Sequence, residues 1–95
     1  MYPNEEHGHR VIAFMDSWLS YAKNPAAVEC PVSNMHIADR NYYTKRILLH
    51  HQIAERIERG EFDGLSELNA IEQKYSVITS DFDDLFRKVH GMQRE

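Results

Sequence analysis

Apolar residues in the first quarter of the chain recur every three or four positions. Val11, Met15, Trp18 and Ala22 fall on one stripe, with Ile12 and Leu19 beside it and Phe14 and Tyr21 on the other flank. An apolar arc covering about half the circumference predicts a helix that packs on more than one neighbour, the central helix of the fold. It starts near Asn4 or Gly8, where Glu5 and Glu6 suit a helix N-terminus, and ends at Lys23, before Asn24 and Pro25. Residues 24–34 (NPAAVECPVSN) carry two of the three prolines and read as a connector. A second and longest helix opens between Ser33 and Asp39 and runs to Arg59, with Gly60 as its stop. Tyr43, Ile47, His50, Ala54 and Ile57 line its centre, flanked by Tyr42, Leu49 and Ile53.

The remaining pattern divides into two shorter segments. A third helix follows Asp63 and Gly64, with Leu65, Leu68, Ile71 and Tyr75 inward. A fourth has Ser80 as its cap, Asp81, Asp83 and Asp84 in the first turn, a stripe of Phe82, Leu85, Phe86 and Val89, and Gly91 as its end. Residues 75–79 (YSVIT) alone have strand composition, and one strand makes no sheet. The expectation is an all-α fold, a compact bundle of three to four antiparallel helices joined by short loops, in a single helical domain spanning residues 1–95.

Composition narrows the class. A chain of 95 residues buries roughly 60–65% of the surface its unfolded form exposes, so its core is small. With 42% apolar and 27% charged residues and a net charge of −4, it reads as soluble and globular. Apolar runs of three or four residues fall far short of the ~20 that span a membrane. The opening MYPNEEHGHR has no apolar region of the secretory kind, and a single cysteine, Cys30, fits a reducing compartment. A cytoplasmic location is expected.

The distribution of charge is more informative than its sum. Residues 1–39 carry two basic and five acidic groups, residues 40–59 five and two, and residues 60–95 four and eight. A basic island therefore lies between two acidic ends.

That island bears on the segment KYSVITSDFDDLFRKVH, residues 74–90, which has the cadence of a DNA-reading helix-turn-helix. Ile71, Tyr75, Val77, Phe82 and Leu85 sit where that motif buries residues, and Ser76 suits its tight turn. Glu72, however, stands where close helix packing wants a small residue. The would-be recognition helix also begins with three aspartates, which a duplex carrying one charge per ~1.7 Å repels. Asp83 with Arg87 and Asp84 with Lys88 read better as i,i+4 pairs on a helix surface.

The island itself, RNYYTKRILLHHQIAERIERG, combines Arg40, Lys45, Arg46, Arg56 and Arg59 with Tyr42, Tyr43 and two histidines. As a site it suits phosphate or a protein surface, with Tyr42 and an outward Leu48 as apolar contacts. As structure it is an amphipathic helix whose cations pair with the acidic segments around it, and this reading is preferred.

Six histidines invite a metal, yet no pair shows the tight spacing of a zinc motif. His7 and His9 lie near the chain's start, and Cys30 precedes His36 by six. His51 and Glu55 are one turn apart but lack a matching set on another helix. His50, on an apolar stripe, reads as a hydrogen-bonded core histidine. No phosphate loop or nucleophile elbow occurs, and Cys30 has no assignable base, so neither an enzyme nor a cofactor is expected.

The expected function is a small non-enzymatic protein-binding module. It would act as an accessory inhibitor or adaptor, of the kind phages and other mobile elements encode against host machinery. Its contacts would be Arg40, Tyr42, Lys45, Arg46, Leu48, Arg56 and Arg59, with Asp81, Asp83 and Asp84 as an acidic face. Its partner would be another protein or a nucleoprotein complex, and the broad apolar arcs also suit a homo-oligomer. The alternatives are a nucleic-acid-binding transcriptional regulator using residues 40–59 and a His-rich metal-binding helical protein.

Overall fold

The computed structural model describes residues 3–92. They form three helices, α1 (Pro3–Lys23), α2 (Ile37–Arg59) and α3 (Gly64–Val89), and no strand occurs among them. The fold is all-α, as the hydrophobic periodicity requires.

The helix count differs from the four segments of the sequence pattern. Residues 64–89 are one helix of 26 residues, about 39 Å long, so the helix-turn-helix is absent. Its apolar stripe runs unbroken through the supposed turn, since Ile71, Tyr75, Ile78, Phe82 and Leu85 keep a spacing of three or four residues. No glycine or proline interrupts residues 65–90, and the polar residues there bond sideways. Thr79 donates its hydroxyl proton to the Tyr75 carbonyl at 3.0 Å, and Asp81 accepts from Arg46. Ser80 is an exposed mid-helix residue rather than a cap, and Val77 is 50% exposed where the motif would bury it. Leu65 and Val89, expected inward, are also exposed, at the two ends of α3.

The loops follow from local chemistry. His36 caps α2, its Nδ1 accepting from the Ala38 N–H at 3.2 Å. Gly60 ends α2 at φ 66°, a left-handed conformation that glycine adopts without a Cβ clash. Only Gly60 to Asp63 then separate α2 from α3.

Trp18 of α1 is fully buried where the three helices meet. Its ring centroid lies 5.8 Å from that of Tyr43 on α2 and 6.1 Å from that of Phe82 on α3, and the latter two are 5.5 Å apart. Ile47, Ile53, Ile78, Val11 and Met15 complete the core around this cluster. Each helix packs on the other two, so α1 is not central.

The molecule is a slab of 42 × 37 × 21 Å, its thickness about two helix diameters. Its radius of gyration, 14.5 Å, exceeds the ~12 Å typical of a compact domain this size. Long helices that cross near their middles diverge towards their ends, and apolar side chains there stay partly uncovered.

Two substitutions test this description. Trp18→Ala is expected to cost about 3–5 kcal/mol in urea unfolding, and Trp18→Phe less, because the buried indole N–H has no acceptor. Ser76→Pro would be tolerated in a turn. In the continuous helix it costs about 3 kcal/mol and lowers the helical circular dichroism.

Candidate functional site

The basic island lies along α2, and the fold uses most of its cations internally. Arg46 donates from Nη2 to Asp81 Oδ2 at 2.6 Å while its guanidinium lies 5.8 Å from the Tyr42 ring centroid. Arg56 donates at 2.8 Å to both Glu67 Oε1 and the Glu61 carbonyl. Arg59 makes two bonds to the Glu61 carboxylate, at 2.8 and 3.2 Å, and lies 3.8 Å from Glu55. Arg40 is half-buried and donates to the Met35 carbonyl at 3.3 Å. Lys45 is exposed and Tyr42 half-exposed, whereas Leu48, expected outward, is half-buried. The candidate contact residues therefore do not form a single cationic strip.

The acidic face is likewise partly spent. Asp81 is bound to Arg46, and Asp83 accepts from His7 Nε2 at 2.6 Å and from Arg87 Nε at 3.0 Å. Burial pushes the Asp83 carboxyl up, but the bonds from His7 and Arg87 outweigh it and hold the group below its ordinary value. Asp84 is exposed. Glu67 accepts from the Asp63 N–H and from Arg56, and those two bonds lower its carboxyl.

The histidines act singly. His7, which the sequence reading left near the chain's start, packs its ring edge-on against Phe86 at 5.5 Å and so ties α1 to α3. His90 donates from Nδ1 to the Phe86 carbonyl at 2.9 Å, and His51 lies 3.4 Å from Glu55. Half-buried Cys30 lines a shallow cleft with Phe14, Val89 and His90. Among the described residues no three His, Cys, Asp or Glu side chains converge as metal ligands. No helix among them is long and apolar enough to cross a membrane.

His50 is hydrogen-bonded as expected, with Thr79 as its partner, but it is half-buried at the edge of a cleft rather than in the core. Because the Thr79 proton goes to the Tyr75 carbonyl, His50 Nε2–H donates to Thr79 Oγ1, at 3.0 Å. The imidazole stacks on Tyr75 with centroids 4.0 Å apart.

His50 and Tyr75 also border a groove that sequence reasoning missed. One cleft of about 270 Å³ lies among Ile12, Met15, Asp16 and Leu19 of α1, Ile47, His50, His51 and Ala54 of α2, and Tyr75 of α3. A second, of about 300 Å³, adjoins it across Ala54 and Tyr75 and is bordered by Ile57, Glu58, Glu72 and Ser76. The charged side chains lining the pair are Asp16, Glu58 and Glu72, with no lysine or arginine. A signal was present in the sequence. None of these three acids has a cation three or four residues away on its helix, unlike Glu6, Glu55 and Asp83.

The environment of His50 has a consequence in pH. Burial, and secondarily the neighbouring His51, hold the imidazole below its ordinary value, so the fold selects the neutral ring. Thr79 and Tyr75 face it from α3, and Met15 and Asp16 border the same cleft from α1. As pH falls below about 6.5 the unfolded chain takes up this proton first. Stability present above that value is then lost as pH falls through the lower native value. The urea midpoint is expected to drop from about pH 7 to about pH 5, and by less in His50→Gln. Equal drops in both proteins would remove His50 as the source.

Compared with protein-family models, curated proteins and solved structures, the chain matches none of them.

Proposed function

We propose that the chain is a small non-enzymatic protein-binding module, an accessory inhibitor or adaptor that acts by occupying a partner's surface. The observation that carries this reading is the neutralisation of α2: Arg46, Arg56 and Arg59 are each held by a carboxylate of the same chain. Counterion release from phosphates needs cations that are available, and three of the five in the basic island are engaged. Large apolar side chains meanwhile stay exposed on all three helices, Ile12 at 57%, Ile37 at 58% and Leu65 at 71% among them. Protein contacts use such residues and duplex DNA does not.

In this reading α2 and α3 act as a rigid antiparallel hairpin. Tyr43 meets Phe82, His50 meets Thr79 and Arg56 meets Glu67, so advancing along one helix retreats along the other. A preorganised surface loses little conformational entropy on binding.

The test sets the two partner classes against each other. Fluorescence anisotropy with duplex DNA is expected to show no salt-sensitive binding, and Lys45→Glu is expected to change nothing. A steep loss of affinity with salt, with a log–log slope of about −3 or beyond, abolished by Lys45→Glu, would replace this reading with a nucleic-acid regulator. Crosslinking in the native host, followed by reconstitution of a stoichiometric complex from purified components, is expected to yield a protein partner.

A further inference from the structure

We propose that the two adjoining clefts along α2, one shared mainly with α1 and the other with α3, receive one amphipathic helix of a partner protein, with leucine-sized anchors on its inner face and lysine or arginine on its flanks. This inference rests on the protein-binding reading and specifies its surface.

Shape is the first argument. The two clefts, about 270 and 300 Å³, share Ala54 and Tyr75 as a common wall. A void of ~150 Å³ accepts a benzene-sized group, so each cleft has room for one large aliphatic or aromatic side chain. Adjoining recesses match anchors one helical turn apart, since i and i+3 or i+4 residues stand about 5–6 Å from each other. The small Ala54 lets the inserting helix come close to α2. Ile12, Met15, Leu19, Ile47 and Ile57 supply apolar contact along the walls and floor.

Charge selects the occupant. Asp16 stands on the α1 wall, Glu58 on α2 and Glu72 on α3, and no lysine or arginine lines the groove. Elsewhere Glu6, Glu55, Glu61, Glu67, Asp81 and Asp83 each lie within ion-pair distance of a cationic side chain. Among the described residues Asp16, Glu58 and Glu72 make no ion pair, as Glu5, Glu29, Asp39 and Asp63 make none, although Glu58 acts electrostatically on its chain neighbour Arg59. An apolar trough lined by three carboxylates and by no lysine or arginine repels nucleic acid and anionic lipid and attracts a basic amphipathic helix. The groove takes Ile47, His50, His51, Ala54, Ile57 and Glu58 from the segment of the basic island, but none of its lysines or arginines.

Two model peptides of about 18 residues, or five turns, test the assignment. Both carry leucines at i, i+3 and i+7, with lysine at the flanking positions of one and glutamate in the other. Calorimetry and backbone amide NMR are expected to show binding of the lysine peptide, with shifts concentrated at residues 12, 16, 54, 58, 72 and 75. The glutamate peptide is expected to bind at least about tenfold more weakly. Combining Asp16→Asn, Glu58→Gln and Glu72→Gln weakens the lysine peptide by roughly 3- to 100-fold, the range for three exposed ion pairs. Ala54→Trp fills the trough and removes binding. Ile12→Ser, at a residue already 57% exposed, weakens binding without loss of fold.

Equal binding of both peptides, binding of neither, or shifts confined to the Tyr42 and Lys45 side of α2 would overturn the proposal. A concentration-dependent dimer that Ala54→Trp dissociates would assign the groove to a second copy, and so would overturn it too. The two levels fail separately. A native complex that survives Ala54→Trp removes the groove and keeps the module. Lysine-peptide binding by a chain with no protein partner in its host keeps the recognition chemistry and removes the module.

Discussion

The contact on which the rest of this fold depends is the meeting of Trp18, Tyr43 and Phe82, one ring from each helix. Burying an indole removes 150–250 Å² from water, on the order of 5 kcal/mol, from which its unpaired N–H subtracts about 1–3. A small domain is stable by roughly 5–15 kcal/mol in total, so this single junction is comparable with the whole margin. It also fixes where the helices cross. Phe14 and Phe86 extend the aromatic contact between α1 and α3, and His7 reaches Asp83 beyond them. Both lie on the Gly8 side of Trp18 along α1, and there α1 stays against α3. The groove borders the same stretch of α1, through Ile12, Met15, Asp16 and Leu19.

Charge pairing follows from the same crossing geometry. Once Tyr43 is set against Phe82, Arg46 falls beside Asp81 and Arg56 beside Glu67, one pair on each side of His50 and Thr79. The basic island of the sequence and the acid-rich third helix are therefore two halves of one interface. Each bond between partly exposed ions contributes little to stability, but together they penalise any slip of α2 along α3, because a one-turn shift would set Arg46 or Arg56 against apolar surface.

Helix positions were legible in the sequence where a stop was present. Asn24 and Pro25, Gly60, and Gly91 bound the three helices within a residue or two of their observed ends. The division of α3 was misread because its cue, a serine followed by aspartates, is ambiguous. Ser and Asp favour a helix start only when their side chains bond the local backbone. In α3 Asp81 and Asp83 instead reach Arg46 on α2 and His7 on α1, partners separated by 35 and 76 residues. Nothing in residues 74–90 reports those distant groups, whereas the unbroken stripe from Ile71 to Leu85 did argue for continuity. His7 was opaque for the same reason: a histidine near the chain's start carries no sign that Asp83 will meet it.

Asp16, Glu58 and Glu72 are the acids that border the groove. Other carboxylates, Glu5, Glu29, Asp39 and Asp63, are likewise in no ion pair among the described residues, so it is position that sets these three apart. Dispersed over the surface they would serve only solubility. They line two adjoining clefts, Asp16 the one bordered by α1 and Glu58 and Glu72 the one between α2 and α3. Closing the trough with a larger core would bury these acids without cations, at several kcal/mol for each ion.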